Sequence, residues 1–293
     1  MHLLELPLDV AVIILATAVL VHPKPANVLA VHSTWFRIAL PFLHSDLKFN
    51  SIEKLALFAN GTSPLARCKY RTVQIILPGG AADTRLWTII QRILQRCQGN
   101  EGESTVNSVH FTMNSLASDP TLHLIADALK TISPSSFTWT GPDPENNFSC
   151  AIVPAATGPL LTGIAPWSNL QHLSLSSISF SRCKGATLLT LTPFSHPALK
   201  SIHISQGVFL APRSIALLAL QLPALTRIQL VDVYQESIWG PRVRIADIEH
   251  EVAPGVVDPE LGVWEGTRRI REIVTCEAKS ERLIGGDRDR EMA

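Results

Sequence analysis

The sequence predicts an α/β protein in which a short N-terminal helical module precedes an irregular β/α solenoid with a parallel sheet. Two observations carry this reading. In the first fifth of the chain, apolar residues recur at helical spacing, from Leu6 to Val21 and again from Leu29 to Leu47. From Tyr70 onward a different pattern returns: apolar, two residues, apolar, one residue, apolar, with helical stretches between its copies. Strand, turn, helix and strand at a repeating period imply parallel strands with helices behind them.

The first element starts at Leu6-Pro7-Leu8-Asp9-Val10, where Pro7 suits the first turn of a helix. The run Val10–Val21 is shorter than the roughly 20 residues that span a bilayer. Glu5 and Asp9 stand where a signal peptide carries Lys or Arg, so a packed helix is expected rather than a membrane segment. The second helix carries Leu29, Val31, Trp35, Ile38, Leu40 and Leu43, with Trp35 as its largest anchor and Pro41 expected to end it. Ser51–Phe58 reads as a short helix and Asn60-Gly61-Thr62 as a turn, which makes 51–69 a linker.

The repeating pattern then appears as Tyr70/Val73/Ile75, Val106/Val109/Phe111, Pro134/Phe137/Trp139 and Leu170/Leu173/Leu175. It continues as Leu199/Ile202/Ile204, Leu225/Ile228/Leu230 and, more weakly, Ile270/Ile273/Thr275. The copies lie about 26 to 45 residues apart, within or near the period of helix-and-strand repeats. Amphipathic helices are expected over Thr84–Gln98, Thr121–Ile132 and Arg213–Leu222. Gly141–Pro166, rich in Pro, Gly and Asn, reads as mostly loop. The segment 234–269 reads as an insertion packed irregularly over the last repeats, and 277–293 as a frayed polar tail.

Leu6-Pro7-x-Asp9-Val10, Ile14-Leu15 and Leu29-x-Val31-x-x-x-Trp35 together resemble the F-box, the helical module that docks on the Skp-type adaptor of cullin–RING ubiquitin ligases. The continuation from Ile38 to Leu43 and Phe49 resembles fungal members. Ala18 and His32 depart from the pattern, standing where a large apolar residue and a Cys or Ser are usual. The resemblance implies an adaptor-binding set of Leu6, Pro7, Val10, Ile14, Leu15, Leu29, Val31 and Trp35. The later pattern resembles an irregular right-handed leucine-rich repeat, whose consensus asparagine is supplied only by Asn114. An ordinary α/β domain with a parallel sheet shares the same local pattern. The implied organisation is an F-box-like module over 1–50, the linker 51–69, a leucine-rich-repeat-like domain over 70–276 and the tail.

Composition excludes several function classes. The chain has 293 residues, 46% hydrophobic and 17% charged, with a formal net charge of +0, so it is neither disordered nor a general polyanion binder. Its five cysteines are scattered, with no Cys-x-x-Cys pair, which argues against a disulfide framework or a zinc site and for a reducing compartment, cytoplasmic or nuclear. Pro78-Gly79-Gly80 lacks the lysine of a phosphate loop, and no hydrolase motif is present.

If the apolar members of each strand point inward, the opposite face is small, neutral and hydrogen-bonding. Its candidate target-binding residues are Gln74, His110, Thr138, His172, Ser174, His203 and Gln229. With almost no Lys or Arg on this face, nucleic acid is not an expected partner. His172 and His203 should sit diagonally on neighbouring strands, without a third metal ligand. The resemblance thus implies a non-catalytic, cofactor-free receptor that binds a Skp-type adaptor at one end and a protein target at the other, with no membrane partner. Two alternatives stay open. One is an interaction module whose degenerate F-box serves no ligase. The other is a secreted repeat protein or hydrolase, for which Ala16-Thr17-Ala18 and the sequons at Asn60 and Asn147 would speak.

Overall fold

Proline placement and capping side chains set the first helices. In the computed structural model, which describes residues 6–61, 70–78, 83–98, 106–144, 149–181, 196–252 and 263–280, α1 (Leu8–Val21) begins directly after Pro7. Next, α2 (Pro25–Leu29) places Pro25 in its first turn, where the missing N–H costs nothing. His32 caps α3 (Ser33–Leu43), its Nδ1 accepting from the Thr34 N–H at 3.1 Å. Pro41 does not end this helix as expected. It sits in the last turn, where only one ladder bond is lost, and the helix runs two residues further.

Leu15, Val19, Val28, Leu29 and Ala39 form a small core, with Ala18, Trp35, Ile38, Leu40 and Leu43 packed against it. This core is separate from the main one, whose first members are Leu47 and Phe49.

The sheet begins earlier than the sequence reading has it. Asp46–Phe49 is strand β1 rather than the end of the helical module, and α4 (Ile52–Ala59) buries Leu55 and Phe58 in the main core rather than acting as a linker. Strand and helix then alternate through β2 (Thr72–Leu77), α5 (Leu86–Arg96), β3 (Ser108–Met113), α6 (Leu124–Leu129) and β4 (Ser136–Thr140). They continue through α7 (Pro154–Ile164), β5 (His172–Ser176), β6 (Ser201–Ser205), α8 (Pro212–Gln221) and β7 (Arg227–Val231), and end with α9 (Ile245–His250), α10 (Val263–Ile273) and β8 (Val274–Glu277). The architecture is α/β: ten helices and one eight-stranded sheet, all parallel, in the order β1 to β8, among the described residues.

Four expectations need correction. Gly141–Pro166, expected to be mostly loop, holds the 11-residue helix α7, which Pro154 opens and which buries Ala156, Leu160, Leu161 and Ile164. The segment 234–269 is no interruption. It holds α9 and the start of α10, the crossover that leads from β7 to β8. Ile270 and Ile273 lie on α10 rather than on a strand, and the last strand starts one residue later, at Val274. The tail is also shorter than expected: Glu277 closes β8, while the backbone N–H groups of Lys279 and Ser280 bond the Asp232 carboxylate at 3.2 and 3.0 Å. Cys68, Cys183, Thr62, Asn147 and Gly79-Gly80 lie outside the described residues.

The strand period of two divides the sheet into a buried and a polar face. Leu47, Val73, Val109, Phe137, Leu173, Ile202, Ile228 and Val274 form one inward row, in register from strand to strand. Phe49, Ile75, Phe111, Trp139, Leu175, Ile204 and Leu230 form the next. Edge-on aromatic contacts join Phe111 to Phe137 and Trp139 within these rows, and Phe137 to Trp167 beyond them. Buried Trp139 and Trp167 each donate an indole N–H to a backbone carbonyl, of Met113 and Leu129, at 3.0 Å, so neither large side chain leaves an unpaired donor.

Candidate functional site: the polar sheet face and the cavity at its carboxyl end

Six of the candidate target-binding residues fall in one row: Gln74, His110, Thr138, Ser174, His203 and Gln229 are register partners across β2 to β7. The row is continued by Lys48 on β1 and Thr275 on β8. His172 belongs to the adjacent row, opposite Ser201, while His203 is opposite Ser174. The two histidines are therefore diagonal neighbours, as the spacing predicts. Val231, two residues on from Gln229 and in register with Ser205 and Glu277, is buried at the carboxyl end of β7, where it lines the cavity.

Hydrogen bonds tie the outer side chains of this face to one another. The His172 Nδ1 lies 2.8 Å from the Ser201 Oγ, and the His110 Nε2 lies 2.6 Å from the Ser108 Oγ. Ser205 donates to the Ser176 Oγ at 2.8 Å, and Gln229 donates its amide to Glu277 at 2.7 Å. Burial holds the His110 imidazole below its usual pKa. Burial does the same at His203, opposed by a side-chain hydrogen bond with Gln229 and reinforced by the positive charges of Lys279 and Arg227.

A hydroxyl beside an imidazole is half of a nucleophile–base pair, but activation also needs a group that orients the base through its other nitrogen. Among the described residues, no carboxylate is hydrogen-bonded to the ring of His110 or His172. Nor does any group of three His, Cys, Asp or Glu side chains converge in a way that could hold a metal ion. The buried Cys97 thiol is pushed up to about 12 by desolvation, so it is no nucleophile at neutral pH.

At the carboxyl ends of β4 to β7 the face deepens into a cavity of about 320 Å³. Three of its wall residues directly follow a strand and share an unusual backbone: Ser177, Gln206 and Asp232 adopt φ of 57°, 50° and 51°. The left-handed turn lets each backbone N–H bond across to the next strand, to the carbonyls of Ser205, Val231 and Glu277 at 2.9, 2.8 and 2.9 Å. Asp143 and Lys279 bring the two exposed charges, and buried Asp232 is neutralised by Arg242 at 3.1 Å. Gln206, Asp143, Asp232 and Lys279 escape the sequence reading because the strand pattern marks strands, not the turns after them. The general placement of ligand sites at the carboxyl ends of parallel strands is the signal that points there.

The adaptor-binding candidates divide. Pro7, Val10, Ile14 and Val31 are exposed, and Leu6 is partly so. Leu15 and Leu29 are buried in the small helical core, so these two hold the helices together instead of offering a docking surface, while Trp35 packs against that core and stays partly exposed. Of the large apolar side chains exposed among the described residues, Leu8, Val10, Ile13, Ile14, Val21, Val31 and Phe36 lie in the helical module; the others are Leu57, Leu116, Trp239 and Trp264. Among the described residues, no helix is long and apolar enough to cross a membrane. The chain matches no protein-family model, no curated protein and no solved structure.

Proposed function

We propose that the chain is a non-catalytic receptor of a cullin–RING ubiquitin ligase. In this reading α1 to α3 act as an F-box that grips a Skp-type adaptor, and β2 to β7 form an irregular leucine-rich-repeat solenoid that holds a protein target on its polar face. The observation that carries the reading is the concentration of exposed apolar side chains on a helical module with its own core, with Leu8 and Ile13 each 66% exposed and Val31 63% exposed. Apolar side chains gathered on one module mark a surface that a partner covers. The mechanism is proximity: a target held beside a ubiquitin-charged enzyme meets it at a raised effective concentration, with no bond chemistry by the receptor.

The test is co-expression of the full chain with a Skp-type adaptor. The wild-type chain co-purifies, and the double variant Ile14→Asp/Val31→Asp, which touches only exposed positions, stays folded and does not. A folded wild-type chain that forms no complex overturns the reading. In that case the second reading stands, an interaction module without a ligase role. It is favoured by the internal use of Leu15 and Leu29, which removes two of the docking candidates from the surface.

A further inference from the structure

We infer that the cavity at the carboxyl ends of β4 to β7 is an amide-binding subsite, built to take a carboxamide group from the protein target. The inference rests on the reading that the polar face receives such a target, and it names what the face selects.

Size and chemistry both lead there. The cavity, about 320 Å³, lies at the small end of the roughly 300–1,000 Å³ range of ligand pockets, room for a side chain with its backbone rather than for a domain. Its walls offer donors and acceptors together. The Ser174 hydroxyl has no protein partner among the described residues, and the Ser176 hydroxyl accepts from Ser205 but donates to no described group. Asp143 supplies an acceptor outside any ion pair among the described residues, and Lys279 supplies an ammonium. The remaining carboxylate, Asp232, is already satisfied by Arg242 and by two backbone N–H groups.

These terms decide between occupants. A phosphorylated side chain needs clustered cations, yet it would meet one ammonium and the opposing Asp143 charge. An apolar side chain would strip water from the hydroxyls and return no hydrogen bond. A carboxamide presents a carbonyl acceptor and an NH2 donor from one small planar group, matching both kinds of wall. The imidazole of His203, held neutral near pH 7 by burial, adds a group that can either donate or accept. The left-handed turns at Ser177, Gln206 and Asp232 keep the walls in place by backbone pairing, so the site is formed before the target arrives. A side-chain carboxamide and a backbone peptide group share this chemistry, and the experiment separates them.

The full chain is titrated by NMR with N-acetyl-asparagine N-methylamide, reading the His203 imidazole signal, in parallel with the alanine, leucine and phosphoserine analogues. The asparagine probe should move His203 and bind about tenfold or more tightly than the leucine and phosphoserine probes. An alanine probe that binds equally well assigns the site to a backbone peptide group and keeps the amide chemistry. Ser176→Leu, which fills the cavity, should abolish the shift. Ser174→Ala, which removes only a hydroxyl, should weaken it several-fold and decides the matter if the leucine variant does not fold. Preference for the leucine or phosphoserine probe, or no movement of His203 with any probe, overturns the inference. So does a shift that persists in a folded Ser176→Leu chain. Because the probes need no adaptor, loss of adaptor binding alone counts only against the ligase reading, and a failed titration beside an intact adaptor complex counts only against the subsite.

Discussion

Half-buried imidazoles make this protein's stability depend on pH in a direction that can be stated. Burial lowers the pKa of His44, His110 and His203 below the ordinary value of 6.5. On acidification the unfolded chain therefore takes up protons near pH 6.5 while the folded chain does not yet, which draws the equilibrium towards unfolding. The contribution of these neutral rings is present above pH 6.5 and is lost as pH falls from there to the lowered folded values. Thermal melts from pH 8 down to pH 5 should show falling stability through that window. His110→Gln together with His203→Gln should flatten the profile, and a double variant whose profile parallels the wild type contradicts the assignment. The same residue scale explains why Ser and Thr suit the polar face: Ser108 and Ser201 pair with His110 and His172 at 2.6 and 2.8 Å, and Ser205 donates to Ser176 at 2.8 Å, without long side chains to order.

At the scale of the element, the strand ladder rests on the inward rows. Leu173 on β5 is 1% exposed and has Phe137 and Ile202 as its register partners on β4 and β6. Leu173→Ala should lower unfolding stability by about 2–5 kcal/mol in urea denaturation, the cost of lost burial plus a cavity. Ser174→Ala, one residue on and on the other face, should stay within about 0.5 kcal/mol. Equal costs at the two positions contradict the two-faced sheet. These rows were legible in the sequence because a strand has a period of two, and Val73, Val109, Phe137, Leu173, Ile202 and Ile228 each stand in the same place in their pattern. Strand β1 was not legible, since Leu47 and Phe49 alternate over only four residues next to a helical run. Helix α7 was hidden by Pro154, Gly158, Pro159 and Gly163. Pro154 opens the helix, and Gly163 sits where an added Cβ would lie 3.0 Å from the Ala126 backbone of α6, so what reads as loop composition is close helix packing. The cavity at the strand ends was illegible for a different reason, because Asp143, Gln206, Asp232 and Lys279 are far apart in sequence and meet only through the strand order.

For the whole molecule, two separate cores divide the labour. One holds three short helices and leaves apolar side chains outside, and the other holds the sheet and presents hydrogen-bonding groups. With a formal net charge of +0 the chain carries no net charge to steer a partner from a distance, so the proposed function asks the contacts themselves to select: apolar at the helical end, polar across the sheet. The Skp-type adaptor proposed as the first partner rests on the resemblance in Leu6-Pro7, Ile14 and Val31, of which Pro7, Ile14 and Val31 are exposed. The measurement that tests this account most directly is hydrogen–deuterium exchange of the full chain with and without a Skp-type adaptor. The account predicts slowed exchange across α1 to α3, residues 8 to 43, with β2 to β8 unchanged and free for the target. Unchanged exchange in α1 to α3, or protection confined to the sheet, would contradict it.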